Sequence, residues 1–574
     1  MEVNEVLSLI GGLCLFLFGM NLMGEALERK AGGKLRTVLG RLTSNKTAGF
    51  LTGMIVTAII QSSSATTVMT VGFVNSGLMS LRQAITVIMG ANIGTTMTAW
   101  LLSLVGLEGG NVFTALLKPS NFSPLLALIG IIFYMFLKND KKKETGLILL
   151  GFSTLMFGME TMSGAVSGLK DMPGFGELFL LFSNPLLGAM AGMLLTVIIQ
   201  SSSASTGILQ ALAAAGQVTF GSAIPIIIGQ NVGTCATSLI SCVGATRDAK
   251  RTALVHLVFN FIGAAVWLTG YCIVKSVFQP ALLNQATTAV SIAVIHTLFN
   301  LTCTILMLPM TGLLEKLVVL LVPERKENTS VTELDERLFV SPSIALQRSH
   351  DVSADMAISV AMRVREALAA IDDPNKEGSI RESTERTQKR KEEIEKYLIQ
   401  LSSMSLDSAG RSEVAMLLKM TGELCYISKQ NLEIAECVHK LHQEKLSSAA
   451  LEELNLMRRA VKELLRLSMS AIIGTDPTAA EQVPALIQVI HGLKRDIHTR
   501  HVDRLQQHIY SAEAGIVWLD ILTALERISD HFSNICSHIF EARNAAGVQE
   551  ICSEEKIKDM YQAFEEKFSL SAEK

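Results

Sequence analysis

Ile59-Ile60-Gln61-Ser62-Ser63-Ser64-Ala65 sets a polar tetrad in the middle of the apolar stretch 48–79, and Ile198-Ile199-Gln200-Ser201-Ser202-Ser203-Ala204 does the same within 185–218. Neither stretch carries a fixed charge: Asp, Glu, Lys and Arg are missing from 47–81 and from 178–246. A helix needs roughly 20 apolar residues to cross a hydrocarbon core, so the arms of about a dozen residues on either side of each tetrad are too short to span. The pattern predicts two re-entrant hairpins with the tetrads at their tips.

Working outward, full spans are expected at 6–23, 83–107, 124–137, 146–166, 221–243, 252–274 and 289–314. The stretch 124–137 is short and is expected to start earlier. Glu2 and Glu5 precede the first span and no small-residue cleavage pattern follows it, so it reads as a retained helix. Basic residues gather between Arg29 and Lys46, between Lys138 and Lys143, and at Arg247, Lys250 and Arg251. If the hairpins enter and leave on one side, all three groups share one face with the C-terminal tail, as the enrichment of Lys and Arg in cytoplasmic loops requires.

One offset, 139 residues, relates three separated patches. Phe18-Gly19-Met20 recurs as Phe157-Gly158-Met159, the first tetrad as the second, and Gly90-Ala91-Asn92-Ile93-Gly94-Thr95 as Gly229-Gln230-Asn231-Val232-Gly233-Thr234. Three crossings plus a returning hairpin separate equivalent points, so the second copy is inverted. Inverted repeats with broken helices meeting at mid-membrane are the architecture of secondary transporters. The expectation is an all-α polytopic membrane protein: repeat 1 at about 5–140, repeat 2 at about 145–280, and an extra helix at about 289–314.

A hairpin tip at membrane depth leaves backbone groups that lipid cannot satisfy. Ser62, Ser63 and Ser64, with Ser201, Ser202 and Ser203, put hydroxyls at the N-terminal end of each second arm, where free N–H groups and the helix dipole favour an oxyanion. Gln61 and Gln200 both donate and accept. Thr66, Thr67, Thr95, Thr96 and Thr234 offer oxygens suited to a hard cation such as sodium. The glycines around Asn92 and Asn231 permit local unwinding that exposes carbonyls as cation ligands. With no charge in either hairpin, an anionic substrate is expected to be neutralised by co-bound cations and dipoles. A single run of serines is ordinarily interhelical packing; its repetition at both tips favours a site. His256 and His296 read as neutral groups bonded across helices, and Glu160 is left open.

These twin QSSS hairpins, with the GANIGTT and GQNVGTC segments that follow them, resemble the type II sodium–phosphate cotransporters and their bacterial relatives, over about 1–322. The resemblance implies that the two tetrads line a phosphate and sodium site at the repeat interface, and that Thr95, Thr96 and Thr234 help hold sodium. Cys235 departs from the pattern, standing where the first copy has Thr96.

Only 30 of the acidic and basic residues lie before Leu317, against 73 after it. The polar stretch 323–347 reads as a linker, and 348–574 as a soluble bundle of long amphipathic helices, with Glu382, Arg386 and Arg390 at four-residue spacing. Leu525-Glu526-Arg527-Ile528-Ser529-Asp530-His531 resembles the signature of PhoU-like domains, in which Glu526 and Asp530 on one helix face would bind a divalent metal; Cys425 and Lys429 stand where a second acidic pair is expected. The nine scattered cysteines form no disulfide framework or metal pair, the balanced charge of −3 carries no basic tract for nucleic acid, and no nucleotide-binding loop, nucleophile elbow or zinc motif points to an enzyme.

The expected activity is sodium-coupled phosphate transport in the cell membrane, with the bundle cytoplasmic and regulatory. Phosphate, sodium, membrane lipid and a second copy of the chain are the expected partners. Export, another oxyanion, and a membrane phosphate sensor that does not transport are the alternatives.

Overall fold

The computed structural model describes residues 3–40, 45–104, 119–167, 182–323, 333–370, 377–441, 447–476, 478–509, 511–545 and 554–569. The end of the span expected at 83–107 beyond residue 104, and 324–332 of the linker, lie outside the described residues. The chain forms two compact units, Met1–Ile344 and Ala345–Lys574.

The first unit is helical: α1 (Val3–Gly40), α2 (Lys46–Ile60), α3 (Ser63–Asn75), α4 (Leu81–Gly94), α5 (Thr96–Ser103), α6 (Pro119–Phe136), α7 (Asp140–Ser167), α8 (Pro185–Ile199), α9 (Ser202–Ala214), α10 (Phe220–Gly233), α11 (Cys235–Ser241), α12 (Arg247–Ile273), α13 (Ala289–Met307) and α14 (Thr311–Leu321). Six stretches are long and apolar enough to cross a membrane: Asn4–Ala31, Leu81–Ser103, Asp140–Ser167, Phe220–Ser241, Arg247–Phe278 and Ala289–Met307. The expected span 124–137 does begin earlier, at Pro119. Large apolar side chains such as Phe136 and Ile198 are three-quarters or more exposed on these helices, a surface that only lipid or another apolar partner suits.

The offset of 139 is geometric as well as textual. α2, α3 and α4 match α8, α9 and α10 residue for residue in their limits. Both first arms end at a glutamine in the left-handed region, Gln61 and Gln200 each at φ 59° and ψ 23°. Both third helices start with a capping box, Ser80 with Gln83 and Thr219 with Ser222. The chain reverses at each tetrad. Thr57 Oγ1 donates to Thr66 Oγ1 at 2.9 Å, although nine residues along one continuous helix would separate them by about 13 Å.

Glycines set the closest approaches. A Cβ on Gly53 would stand 1.9 Å from the Val87 carbonyl oxygen, and on Gly192, 2.1 Å from that of Ile226, its equivalent. Gly94 meets Thr57 seven residues further along both helices, so α2 and α4 run parallel and α3 between them runs back. Between the repeats, Gly12 faces Gly158 and Met162, while Gly19 faces Gly151 and Leu155. The partner's number falls as α1 advances, so the equivalent helices α1 and α7 cross antiparallel, which is the inversion expected from the sequence. Small residues at such crossings allow the close helix contact on which membrane bundles depend.

The second unit is all helix among its described residues: α15 (Pro342–Ala370, beginning in the first unit), α16 (Glu377–Ser402), α17 (Ser408–Leu441), α18 (Ser448–Ile473), α19 (Ala479–Gln506), α20 (Ala512–Ala545) and α21 (Glu554–Lys567). Trp518, Phe532, Leu424, Leu464 and Ile490 are buried in its core. On the outer face of α16, Arg386 pairs with Glu382, and Lys391 with Glu395 at 3.0 Å, the four-residue support read from the sequence.

Candidate functional site

Each tetrad divides its labour. The glutamine ends the first arm, and the first serine caps the second: Ser62 Oγ accepts from Ala65 N at 3.1 Å, and Ser201 Oγ from Ala204 N at 3.2 Å. The next serines sit in the first turn of α3 and α9, where backbone N–H groups have no carbonyl four residues earlier in the helix. Ser63, Ser202 and Ser203 are buried and Ser64 is partly so.

The two turns meet. Gln61, Ser62, Ser63 and Ser64 line one cavity of about 480 Å³ together with Gln200, Ser201, Ser202 and Ser203. Two helix N-termini from inverted repeats therefore face a common space rich in hydroxyls, an arrangement suited to a small oxyanion.

The repeats are not equal there. Thr98 Oγ1 donates to Gln61 Oε1 at 2.9 Å, whereas its equivalent Thr237 donates to the Thr234 carbonyl and Gln200 is exposed. The Thr57–Thr66 bond also has no counterpart: the Thr196 and Ser205 hydroxyls are buried with no hydrogen-bond partner among the described residues.

The remaining residues expected at the site do not line this cavity. Thr66 faces Thr57. Thr95 and Thr234 return their hydroxyls to the carbonyls of Ala91 and Gln230, and Thr96 to that of Ile93. The expected unwinding around Asn92 and Asn231 is confined to one residue, Thr95 or Thr234, each still in right-handed helical geometry. Both asparagines serve as cross-links. Asn92 Oδ1 meets His256 Nε2 at 3.2 Å, and Asn231 Oδ1 accepts from Asn300 Nδ2 at 3.1 Å. Cys235 lies beneath, with Asn260 Nδ2 directed at its sulfur. His256 is thus the neutral cross-helix group foreseen, and Glu160 is exposed on α7.

Sequence reasoning missed the charge. Glu25 and Glu28 of α1 line the same cavity, so the site is not free of fixed charge as expected. The Glu28 carboxyl is hydrogen-bonded to Ser341, and its Oε1 is buried with no partner. Beside it, Arg29 Nε donates to both oxygens of Glu144 at 3.0 Å, which ties α1 to α7. The available signal was the i, i+3 spacing of Glu25 and Glu28 on a helix that outlasts its apolar span.

In the second unit, Glu526 and Asp530 lie on one face of α20 as expected, but each is already paired. Lys494 Nζ donates to Glu526 at 2.6 Å, and His491 Nε2 meets Asp530 at 2.7 Å. No group of three metal-ligating side chains occurs among the described residues. A lysine ammonium at one carboxylate occupies the place of a cation, so the expected divalent metal is not carried further.

The profile of the Na+/Pi-cotransporter family matches residues 15–164 and 177–313. The chain belongs to this family. Both matched segments carry one tetrad, and a PhoU domain profile matches residues 454–539 of the second unit. Members of the Na+/Pi-cotransporter family are transporters, not enzymes. Among relatives, the Escherichia coli K12 protein YjbB, provisionally named for inorganic phosphate export, is 26% identical over 93% of this chain and 97% of its own length. The uncharacterized Bacillus subtilis protein YqeW is 31% identical over 54% of this chain and 96% of its own. The rat sodium-dependent phosphate transport protein 2A is 36% identical over 22% of each chain. No solved structure matches.

Proposed function

We propose that this protein moves inorganic phosphate across a cell membrane in company with sodium, by alternating access, with the second unit cytoplasmic and regulatory. The observation that carries the reading is the convergence of both QSSS turns, each a helix N-terminus, on one cavity. Phosphate binds the first-turn amides and serine hydroxyls. Its charge adds to that of Glu25 and Glu28 in the same space, so a cation must enter with it, and sodium suits oxygen ligands of this kind. Reconstituted protein is expected to accumulate labelled phosphate under a sodium gradient. Absence of sodium-dependent movement would sink the reading.

The likeness to YjbB extends through both units and supports a second reading, in which the physiological direction is export. Direction follows from gradients. Cells that overproduce the protein lose phosphate under the export reading and gain it under uptake.

A further inference from the structure

The stretch 323–347, whose composition reads as a linker, is not a passive tether throughout. Asp335 is only 3% exposed, and Leu338 and Ser341 are fully buried, all within the first unit. The short 3-10 turn Glu336–Val340 lies on α3, with Leu338 Cδ2 only 3.1 Å from where a Cβ on Gly72 would stand.

Its polar contacts bridge two parts of the transport unit. Asn75, the last residue of α3, donates from Nδ2 to Asp335 Oδ2 at 2.6 Å and accepts at Oδ1 from Thr246 N at 2.7 Å. Arg337 Nη1 donates to both Asp335 oxygens, at 3.1 and 3.0 Å. Its Nε and Nη2 donate to the carbonyls of Ser241 and Val243, at 2.6 and 3.0 Å. Repeat 1's second hairpin arm is thereby joined to the turn between α11 and α12 of repeat 2. At the far end, Val340 lines the tetrad cavity and Ser341 is bonded to Glu28 within it.

We propose that residues 335–341 are a clasp that holds α3 against the α11–α12 turn and restrains the transport cycle until it lifts, Asp335 and Arg337 acting as its positioning residues. The inference rests on the transport reading above. The family profile ends at residue 313, so the clasp belongs to the segment by which this chain attaches its second unit. The chain leaves Ser341 directly into α15. A state change in the second unit has a covalent route to the clasp, and removing the clasp frees α3 to move relative to repeat 2. Buried carboxylate–guanidinium contacts are strong when fully paired and costly when one partner is withdrawn, which suits an element with two discrete positions.

The test uses the full chain with Gly72→Cys and Arg337→Cys together. The Gly72 Cβ position lies 3.3 Å from Arg337 Cβ, close to the span of a disulfide. In liposomes, the reduced double variant is expected to move phosphate at least as fast as wild type. Oxidation is expected to slow it about tenfold, within the usual range of coupling energies, and reductant to restore it. Wild type and the single Gly72→Cys variant should not respond to the oxidant. Equal flux in both redox states overturns the clasp, as does failure of the disulfide to form in folded protein. Asp335→Asn provides a second measure: faster turnover supports the clasp, and slower turnover in folded protein overturns it. If wild type itself shows no flux, the transport reading fails instead, and disulfide formation still tests the seat on α3.

Discussion

Gly53 and Val87 approach so closely that a Cβ on the glycine would stand 1.9 Å from the valine carbonyl oxygen, with backbone rather than a movable side chain in the way. This contact sets α2 alongside α4, and Gly192 with Ile226 repeats it in the inverted copy. Gly53→Ala and Gly192→Ala are each expected to cost about 3 kcal/mol or more, since overpacking against backbone cannot relax by a rotamer change. Gly11→Ala, where a Cβ meets nothing within 4 Å, should be neutral. Thermal unfolding in detergent separates the three.

The serines of one tetrad should give different phenotypes. Ser62→Ala removes a helix cap and is expected to lower stability by about 1 kcal/mol, with Ser62→Asp retaining the cap. Ser63→Ala leaves the cap in place and should act on the phosphate KM, about tenfold, with little change in unfolding temperature. Equal stability losses in Ser62→Ala and Ser63→Ala would show that their roles are not divided.

Glu28 puts a carboxylate in the cavity proposed for an anion. Glu28→Gln is expected to lower the phosphate KM at low sodium and to flatten the dependence on sodium, because less charge then needs a cation beside it. Flux measured across a sodium series decides this, an unaltered sodium curve counting against any role for Glu28.

Glu453 and Arg504 are both nearly buried in the second unit and form a double hydrogen bond, one arm of it Arg504 Nη1 to Glu453 Oε1 at 3.1 Å. Glu453→Ala is expected to cost about 3–5 kcal/mol, because Arg504 keeps its charge without a partner. Denaturant unfolding of the full chain, followed through Trp518 fluorescence, measures the loss.

His501 stacks on Trp518 at 4.6 Å in the same region. Desolvation by burial, then the positive charges of Arg504 and His498, hold its pKa below the ordinary 6.5. The folded state therefore binds the proton less readily than the unfolded chain. Its contribution to stability is complete above about pH 6.5 and is lost as pH falls through that value toward the lower folded pKa. The unfolding midpoint of the second unit should drop between pH 7 and 5, and His501→Gln should reduce the slope.

The offset of 139 residues, the polar tetrads inside uncharged apolar stretches and the division of charge near residue 317 are one-dimensional properties, and the fold class and family resemblance were legible from them. The capping serines were legible too, since a hydroxyl at the start of a second arm has few other uses there. Thr95, Thr96 and Thr234 were assigned as cation ligands from chemistry that the residues do possess. Their hydroxyls instead return to carbonyls of their own helices, which sequence cannot distinguish from facing a cavity.

The sequence by itself determined that two copies of a broken helical pair exist, because apolar length, interruption and repetition are all encoded along the chain. Tertiary structure decided what fills the space between them. Glu28, Val340 and Ser341 come from outside both tetrads and reach the cavity only because α1 outlasts its apolar span and residues 335–341 fold back. Such contacts depend on distances across the fold, which no local propensity sets.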